Sequence, residues 1–173
     1  MSQSSDTGVP AAGQANSAGY TGSAGYTGSA GYTGSAGYTG DVDVADAWEN
    51  VKNNPGAVLV DVRTQPEWNF VGVPDLSEAG KTPVLVEWQI FPTMGVNPSF
   101  VEAVTAAAPD KTMPIYFLCR SGARSQSAAM AMTQAGYSTC YNISGGFEGR
   151  HDGDQHRGSI DGWKASGLPW VQG

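Results

Sequence analysis

The chain has 173 residues, 40% of them apolar, with a formal net charge of −7 and a pI near 4.6. That length allows one ordinary domain with a tail, and the acidic balance works against nonspecific binding to nucleic acid or to an anionic membrane. No stretch approaches the ~18 consecutive apolar residues of a membrane span, and the N-terminus has neither a basic start nor an apolar signal core, so a cytoplasmic protein is expected.

Residues 1–40 carry one acidic side chain, Asp6, no basic one, and four tandem copies of Ser-Ala-Gly-Tyr-Thr-Gly beginning at Ser17, Ser23, Ser29 and Ser35. A hexapeptide with two glycines and a single large side chain buries too little surface to offset a backbone entropy of about 1–2 kcal/mol per residue. A disordered tail over 1–40 and an ordered domain over 41–173 are therefore expected. Tyr20, Tyr26, Tyr32 and Tyr38 are either contacts for a protein partner, including another copy of the chain, or the side chains of a plain spacer.

From Asp41, the spacing of Val42, Val44, Ala47, Trp48 and Val51 predicts a short amphipathic helix capped by Asp43 and ended by Asn53-Asn54-Pro55-Gly56. Val58 to Val62 reads as a buried strand broken only by Asp61, and Arg63 and Glu67, four residues apart across a turn, are expected to pair with each other. Phe70 to Gly80 is turn-rich. Pro83 to Ile90 reads as a strand, and Asn97 to Ala108 as a helix with Asn97 as cap, Pro98 at its first position and Pro109 as its stop. Ile115 to Leu118 is a second buried strand, and Ala128, Ala129, Met132 and Ala135 place a helix after Ser125, closed at Gly136. A last strand, Ser138 to Ile143, leads to Gly145-Gly146. Alternating helices and strands predict an α/β domain, a parallel sheet with helices on both faces. The glycine-rich stretch from Glu148 to Gly158 holds both histidines; His151, Asp152, Asp154 and His156 form either a metal site or, the reading preferred here, a solvated loop or lid without metal on the same rim as Cys119.

The chemistry centres on Cys119-Arg120-Ser121-Gly122-Ala123-Arg124-Ser125. A cysteine at a strand's carboxyl end, facing the unpaired N–H groups of a helix start, sits where negative charge is favoured. Arg120 and Arg124 add cations, Ser121 and Ser125 add hydroxyl donors, and Gly122 supplies backbone freedom, so a stabilised thiolate is expected. Cys140, in Tyr137-Ser-Thr-Cys-Tyr141, has no cation and no helix start and reads as a small, partly buried residue. A reducing compartment leaves both as thiols, although the sequence alone leaves a disulfide between them open.

This loop resembles the active-site loop of rhodanese-type sulfurtransferases. Val58-Leu-Val-Asp-Val-Arg63-Thr-Gln-Pro-Glu67-Trp68 is similar to that family's first core strand and turn, Tyr141-Asn-Ile-Ser-Gly145-Gly146-Phe147 to its last strand, and Gly162 to Pro169 to its closing segment. Val71-Gly-Val-Pro-Asp75 stands where the family usually has Gly-His-Ile-Pro-Gly-Ala, and residues 148–161 interrupt the run to Trp163. The resemblance implies a single rhodanese-like domain that moves a sulfane sulfur from thiosulfate or a persulfide to a thiol or cyanide acceptor through a Cys119 persulfide, with no cofactor. It further implies that Arg120 to Ser125 bind the small anionic donor and that Asp61, Arg63 and Glu67 support the loops. A cysteine-dependent phosphatase or arsenate reductase, and a non-catalytic interaction module, are the alternatives. Related phosphatases place five residues between cysteine and arginine, whereas four separate Cys119 from Arg124, a ring better sized for one sulfur than for a phosphoryl group.

Overall fold

A computed structural model describes residues 37–173. Most of the expected tail, with Tyr20, Tyr26 and Tyr32, lies outside the described residues. The elements are β1 (Gly40–Val42), α1 (Val44–Asn53), β2 (Val58–Asp61), α2 (Gln65–Val71), β3 (Val73–Pro74), β4 (Val84–Leu85), β5 (Gln89–Ile90), β6 (Gly95–Val96), α3 (Phe100–Ala107), β7 (Ile115–Leu118), α4 (Ala123–Gln134), β8 (Cys140–Ile143), α5 (Gly162–Ala165) and β9 (Trp170–Val171). A 3-10 turn spans Ser77–Ala79.

Five strands form one parallel sheet in the order β1-β8-β7-β2-β4. All four residues of β7 are buried, as a central strand covered on both faces requires. Its side chains alternate. Ile115, Phe117 and Cys119 join Phe100 and Val104 of α3 and Ala128, Ala129 and Met132 of α4 in one core. Tyr116 and Leu118 join Ala47, Trp48 and Val51 of α1 and Trp163 of α5 in the other. Full burial of a large apolar side chain contributes about 1.5–3 kcal/mol, so the two layers together fix β7 and the loop that leaves it.

Several elements depart from the sequence-based expectations, each for a tertiary reason. Val42, expected on the first helix, belongs to β1, which pairs with β8 before α1 begins under the Asp43 cap, whose carboxylate accepts from Asp46 N at 2.8 Å. The ordered chain starts before Asp41. Tyr38, from the fourth hexapeptide, is only 3% exposed, and Thr39 exchanges two hydrogen bonds with Cys140, donating N–H to its O at 3.0 Å and accepting its N–H on Oγ1 at 2.7 Å. The apolar surface that this copy lacks within itself is supplied by β8 and α4. The expected strand from Pro83 to Ile90 is broken: Val84–Leu85 stays in the sheet, while Gln89–Ile90 leaves it to form a two-stranded antiparallel hairpin with Gly95–Val96. Helix α3 starts at Phe100 rather than beside Asn97, whose Oδ1 accepts from Ser99 N at 3.0 Å while its Nδ2 donates to Glu87 O at 2.9 Å. The closing strand β9 pairs antiparallel with β3, so Val73-Pro74 is anchored by Trp170-Val171.

Candidate active site

Strand β7 ends at Leu118, and the chain turns directly into α4, whose first residue is Ala123. The helix thus begins three residues earlier than the spacing suggested, which puts Arg124 and Ser125 in its first turn. Gly122 makes the turn possible with a φ of 110°, a region unfavourable to any residue with a Cβ. Its N–H points back to Cys119 Sγ at 3.1 Å, and the Ser125 hydroxyl lies 3.1 Å from the same sulfur. The loop is braced from below by the turn after β8. Phe147 N donates to Cys119 O at 2.7 Å and Glu148 N to Arg120 O at 3.0 Å. A Cβ on Gly146 would collide with the Cys119 carbonyl oxygen, which explains the glycine.

Ser125 connects the sulfur to residues that sequence reasoning left out of the site. Its Oγ is 2.7 Å from Asn142 Oδ1 and 3.0 Å from Gly122 O. Asn142 Nδ2 donates to Asp41 Oδ1 at 2.9 Å, and that carboxylate also accepts from the Tyr38 hydroxyl at 2.7 Å. Because a carboxylate only accepts, Asp41 fixes which end of the Asn142 amide faces Ser125. The register explains the alignment: Asp41, Asn142 and Phe117 are direct neighbours across β1, β8 and β7. The signal was absent from any local window, since Asp41 and Asn142 are 101 residues apart.

The supporting carboxylates pair differently from the expectation. Arg63 pairs with Asp61 rather than with Glu67; both are fully buried, with Nη2 2.5 Å from Oδ2, and Arg63 also donates to Gly72 O at 2.7 Å. Two residues apart at a strand end, they meet without the chain having to turn. Glu67 instead accepts both arms of Arg124, at 2.7 and 2.6 Å, together with Thr64 N at 2.9 Å and Thr64 Oγ1 at 2.8 Å. Burial alone would raise the Glu67 carboxyl, but the hydrogen bonds from Arg124 and Thr64 outweigh it and hold the group at about 2.

Above Cys119 opens a pocket of about 500 Å³. Arg120, Ser121, Ala123 and Arg124 line it from the cysteine loop, Thr64, Pro66 and Glu67 from the start of α2, and Gln89, Phe91 and Met94 from the β5–β6 hairpin. Gly122 and Ser125 lie behind the sulfur. Asp61 and Arg63 are fully buried and outside the lining, the guanidinium 4.0 Å from the Phe147 ring centroid. The hairpin wall was missed because Pro83 to Ile90 reads as one strand; the only local hint was the turn-rich Pro92-Thr-Met-Gly95 between short apolar flanks. The histidine-bearing insertion begins against the cysteine loop yet contributes nothing to the pocket lining. Its Asp152 carboxylate is occupied by the N–H groups of Asp154 and His156 and the Ser159 hydroxyl, and the described residues hold no group of three or more His, Cys, Asp or Glu suited to a metal.

The family described as the STR4 middle domain matches residues 39–173. A protein from Rickettsia conorii, itself uncharacterized, is 41% identical over 125 residues, which span 72% of this chain and 90% of that protein. A chloroplast protein of Oryza sativa named thylakoid rhodanese-like is 28% identical over 131 residues, 75% of this chain but 25% of its own length. Among solved structures, Rv0390 from M. tuberculosis superposes with a TM-score of 0.72 at 48% identity, covering 79% of this chain and 99% of that one. The polysulfide-sulfur transferase homodimer of Wolinella succinogenes superposes with a TM-score of 0.52 at 22% identity, over 76% and 77% of the two chains.

Proposed function

The chain belongs to the rhodanese-like family, in the group described as the STR4 middle domain, and from that premise we propose that it transfers a sulfane sulfur through a persulfide on Cys119. The observation that carries this reading is the placement of Cys119 Sγ at the base of an open pocket with a backbone N–H and a hydroxyl each 3.1 Å away. Two donors aimed at one sulfur stabilise negative charge on it, first as thiolate and then as persulfide.

In the proposed reaction the Cys119 thiolate attacks the sulfane sulfur of thiosulfate or of a persulfide. A sulfur–sulfur bond forms to Sγ, the donor's own bond to that sulfur breaks, and sulfite or a thiolate leaves with the electron pair. An acceptor thiol or cyanide then takes the outer sulfur and returns Cys119 to thiolate. Arg120, at the pocket wall and in no ion pair among the described residues, favours approach of an anion. Phosphoryl chemistry is less well supported. The arginine that would clamp a phosphate, Arg124, directs both guanidinium arms to Glu67.

Intact-protein mass measurement after incubation with thiosulfate tests the reading. We expect the mass of one sulfur atom to be gained, removed again by cyanide, and not gained by Cys119→Ser. A folded wild-type protein that gains no sulfur from thiosulfate or from an organic donor is not a sulfurtransferase, and an anion-binding module becomes the better reading.

A further inference from the structure

Sulfur transfer by itself gives the β5–β6 hairpin no task. The hairpin nevertheless puts Phe91 and Met94 in the same wall as Cys119, Arg120 and Arg124. Phe91 is 57% exposed and Met94 41%, so two apolar side chains are held toward solvent at a short turn. Met94 also adopts a left-handed φ of 55°, a conformation that is costly for a residue with a Cβ, and is kept there by its N–H to Ile90 O at 2.8 Å. Strained residues of this kind gather at sites that hold a ligand.

The pocket is also less positive than its arginines suggest. Arg124 is neutralised by Glu67, whose carboxyl, held at about 2, stays ionised at neutral pH. Arg63 is buried against Asp61. Arg120, the other arginine of the lining, makes no ion pair among the described residues. Two guanidinium groups against one carboxylate and the Cys119 thiolate leave the lining without net charge, whereas thiosulfate carries two negative charges and has no apolar surface. A volume of about 500 Å³ lies within the ~300–1,000 Å³ usual for organic ligands.

Resting on the sulfur-transfer reading of Cys119, the geometry points to a singly charged organic donor with an apolar body, a thiosulfonate or an organic persulfide, as the substrate class favoured over thiosulfate. Phe91 and Met94 are the residues that set this preference. With a thiosulfonate, the Cys119 thiolate bonds to the terminal sulfur, the bond from that sulfur to the sulfonyl sulfur breaks, and a sulfinate leaves with the electron pair. One negative charge remains on the persulfide and one departs, so the step balances without an oxidant or reductant.

The test compares single-turnover loading of Cys119 in the full chain by benzenethiosulfonate and by thiosulfate, followed by intact mass. Each rate is divided by that donor's rate with a small free thiol, which removes the difference in leaving group. We expect the corrected ratio to favour benzenethiosulfonate by at least about tenfold, the scale of one or two methylene-sized contacts. Phe91→Ala with Met94→Ala should bring the ratio down by about tenfold, and Glu67→Gln, which leaves Arg124 without its countercharge, should move it toward thiosulfate. A ratio near one in wild type, or one that the double variant leaves unchanged, overturns the inference while sulfur transfer stands. No loading by either donor removes the sulfur-transfer reading itself.

Discussion

The two cysteines occupy opposite ends of the same sheet, and their surroundings differ accordingly. Cys140 opens β8 level with Ile115 of β7, four residues below Cys119, which at ~3.3 Å per residue is about 13 Å. A disulfide requires Cα atoms within ~7 Å, so the pairing that sequence left open does not arise, and both thiols are free. At the amino end, burial pushes the Cys140 thiol up to about 11, with the Thr133 hydroxyl opposing it only in part. At the carboxyl end, Cys119 is just as hidden by area, 1% against 0%, yet it faces a pocket, a helix start and two donors. Burial alone does not make a cysteine inert. What decides is whether the hidden sulfur meets hydrogen-bond donors or hydrocarbon.

Substitution tests this contrast with the largest effect. Cys119→Ser should reduce persulfide formation by about a thousandfold or more, the scale seen when a nucleophile is removed. Cys140→Ala should leave it within about threefold and instead lower stability by about 1 kcal/mol through a small buried void. Alkylation of the native protein near pH 8 should mark Cys119 and spare Cys140 until the chain unfolds. Comparable losses of activity in both variants, with folding intact, would mean that the two sulfurs act in relay and would end the contrast.

A second test asks how far the amino end of the sheet depends on the last hexapeptide. Tyr38 fills the core against α4 and β8, so Tyr38→Ala should cost about 3 kcal/mol in denaturant unfolding. Deleting residues 1–36 should leave the thermal midpoint in place, while deleting 1–40 should lower it by several degrees. Such a difference would set the domain's start before the Asp41 boundary expected from sequence. Equal midpoints for the two truncations would show that Tyr38 contributes no stability.

What the sequence revealed follows from the range over which each contact acts. Cys119, its neighbours up to Ser125, strands β2, β7 and β8, the caps of α1 and the closing glycine of α4 are written in runs of four to twelve residues, short enough for pattern and propensity to suffice. Tyr38 in the core, Asp41 on Asn142 and Glu67 on Arg124 are not, because each joins residues 57 or more apart. The break after Val84–Leu85 was equally hidden: an edge strand needs only two paired residues here, and the apolar run beyond it serves a pocket rather than a core.

Acid titration gives a smaller effect at the carboxyl end. The Glu67 carboxyl is held at about 2 in the folded protein, below its unfolded value near 4.3. Its stabilising contribution is therefore fully present above about pH 4.3 and is lost as pH falls through about 2. Glu67→Gln should lower stability by about 2 kcal/mol at neutral pH, and the gap to wild type should close toward pH 2. A gap independent of pH would assign the loss to packing instead of to the Arg124 pair.

The smallest effect isolates one hydrogen bond at Cys119. Ser125 has a single hydroxyl proton and three acceptors within reach, Cys119 Sγ at 3.1 Å, Gly122 O at 3.0 Å and Asn142 Oδ1 at 2.7 Å. When Cys119 is a thiol, it can donate to Ser125 while Ser125 donates to Asn142; once it is a thiolate, only Ser125 can turn its proton toward the sulfur. A hydrogen bond to a charged group contributes about 1.5–3 kcal/mol, but the Gly122 N–H remains and Asn142 loses its donor in the exchange, so the lower end applies. Ser125→Ala should slow persulfide loading about tenfold. Ser125→Thr should recover part of the rate if its methyl is accommodated in the closed space beside Asn142. Loading by Ser125→Ala at the wild-type rate would show that Gly122 N–H alone supports the sulfur and that the hydroxyl serves only to join α4 to β8.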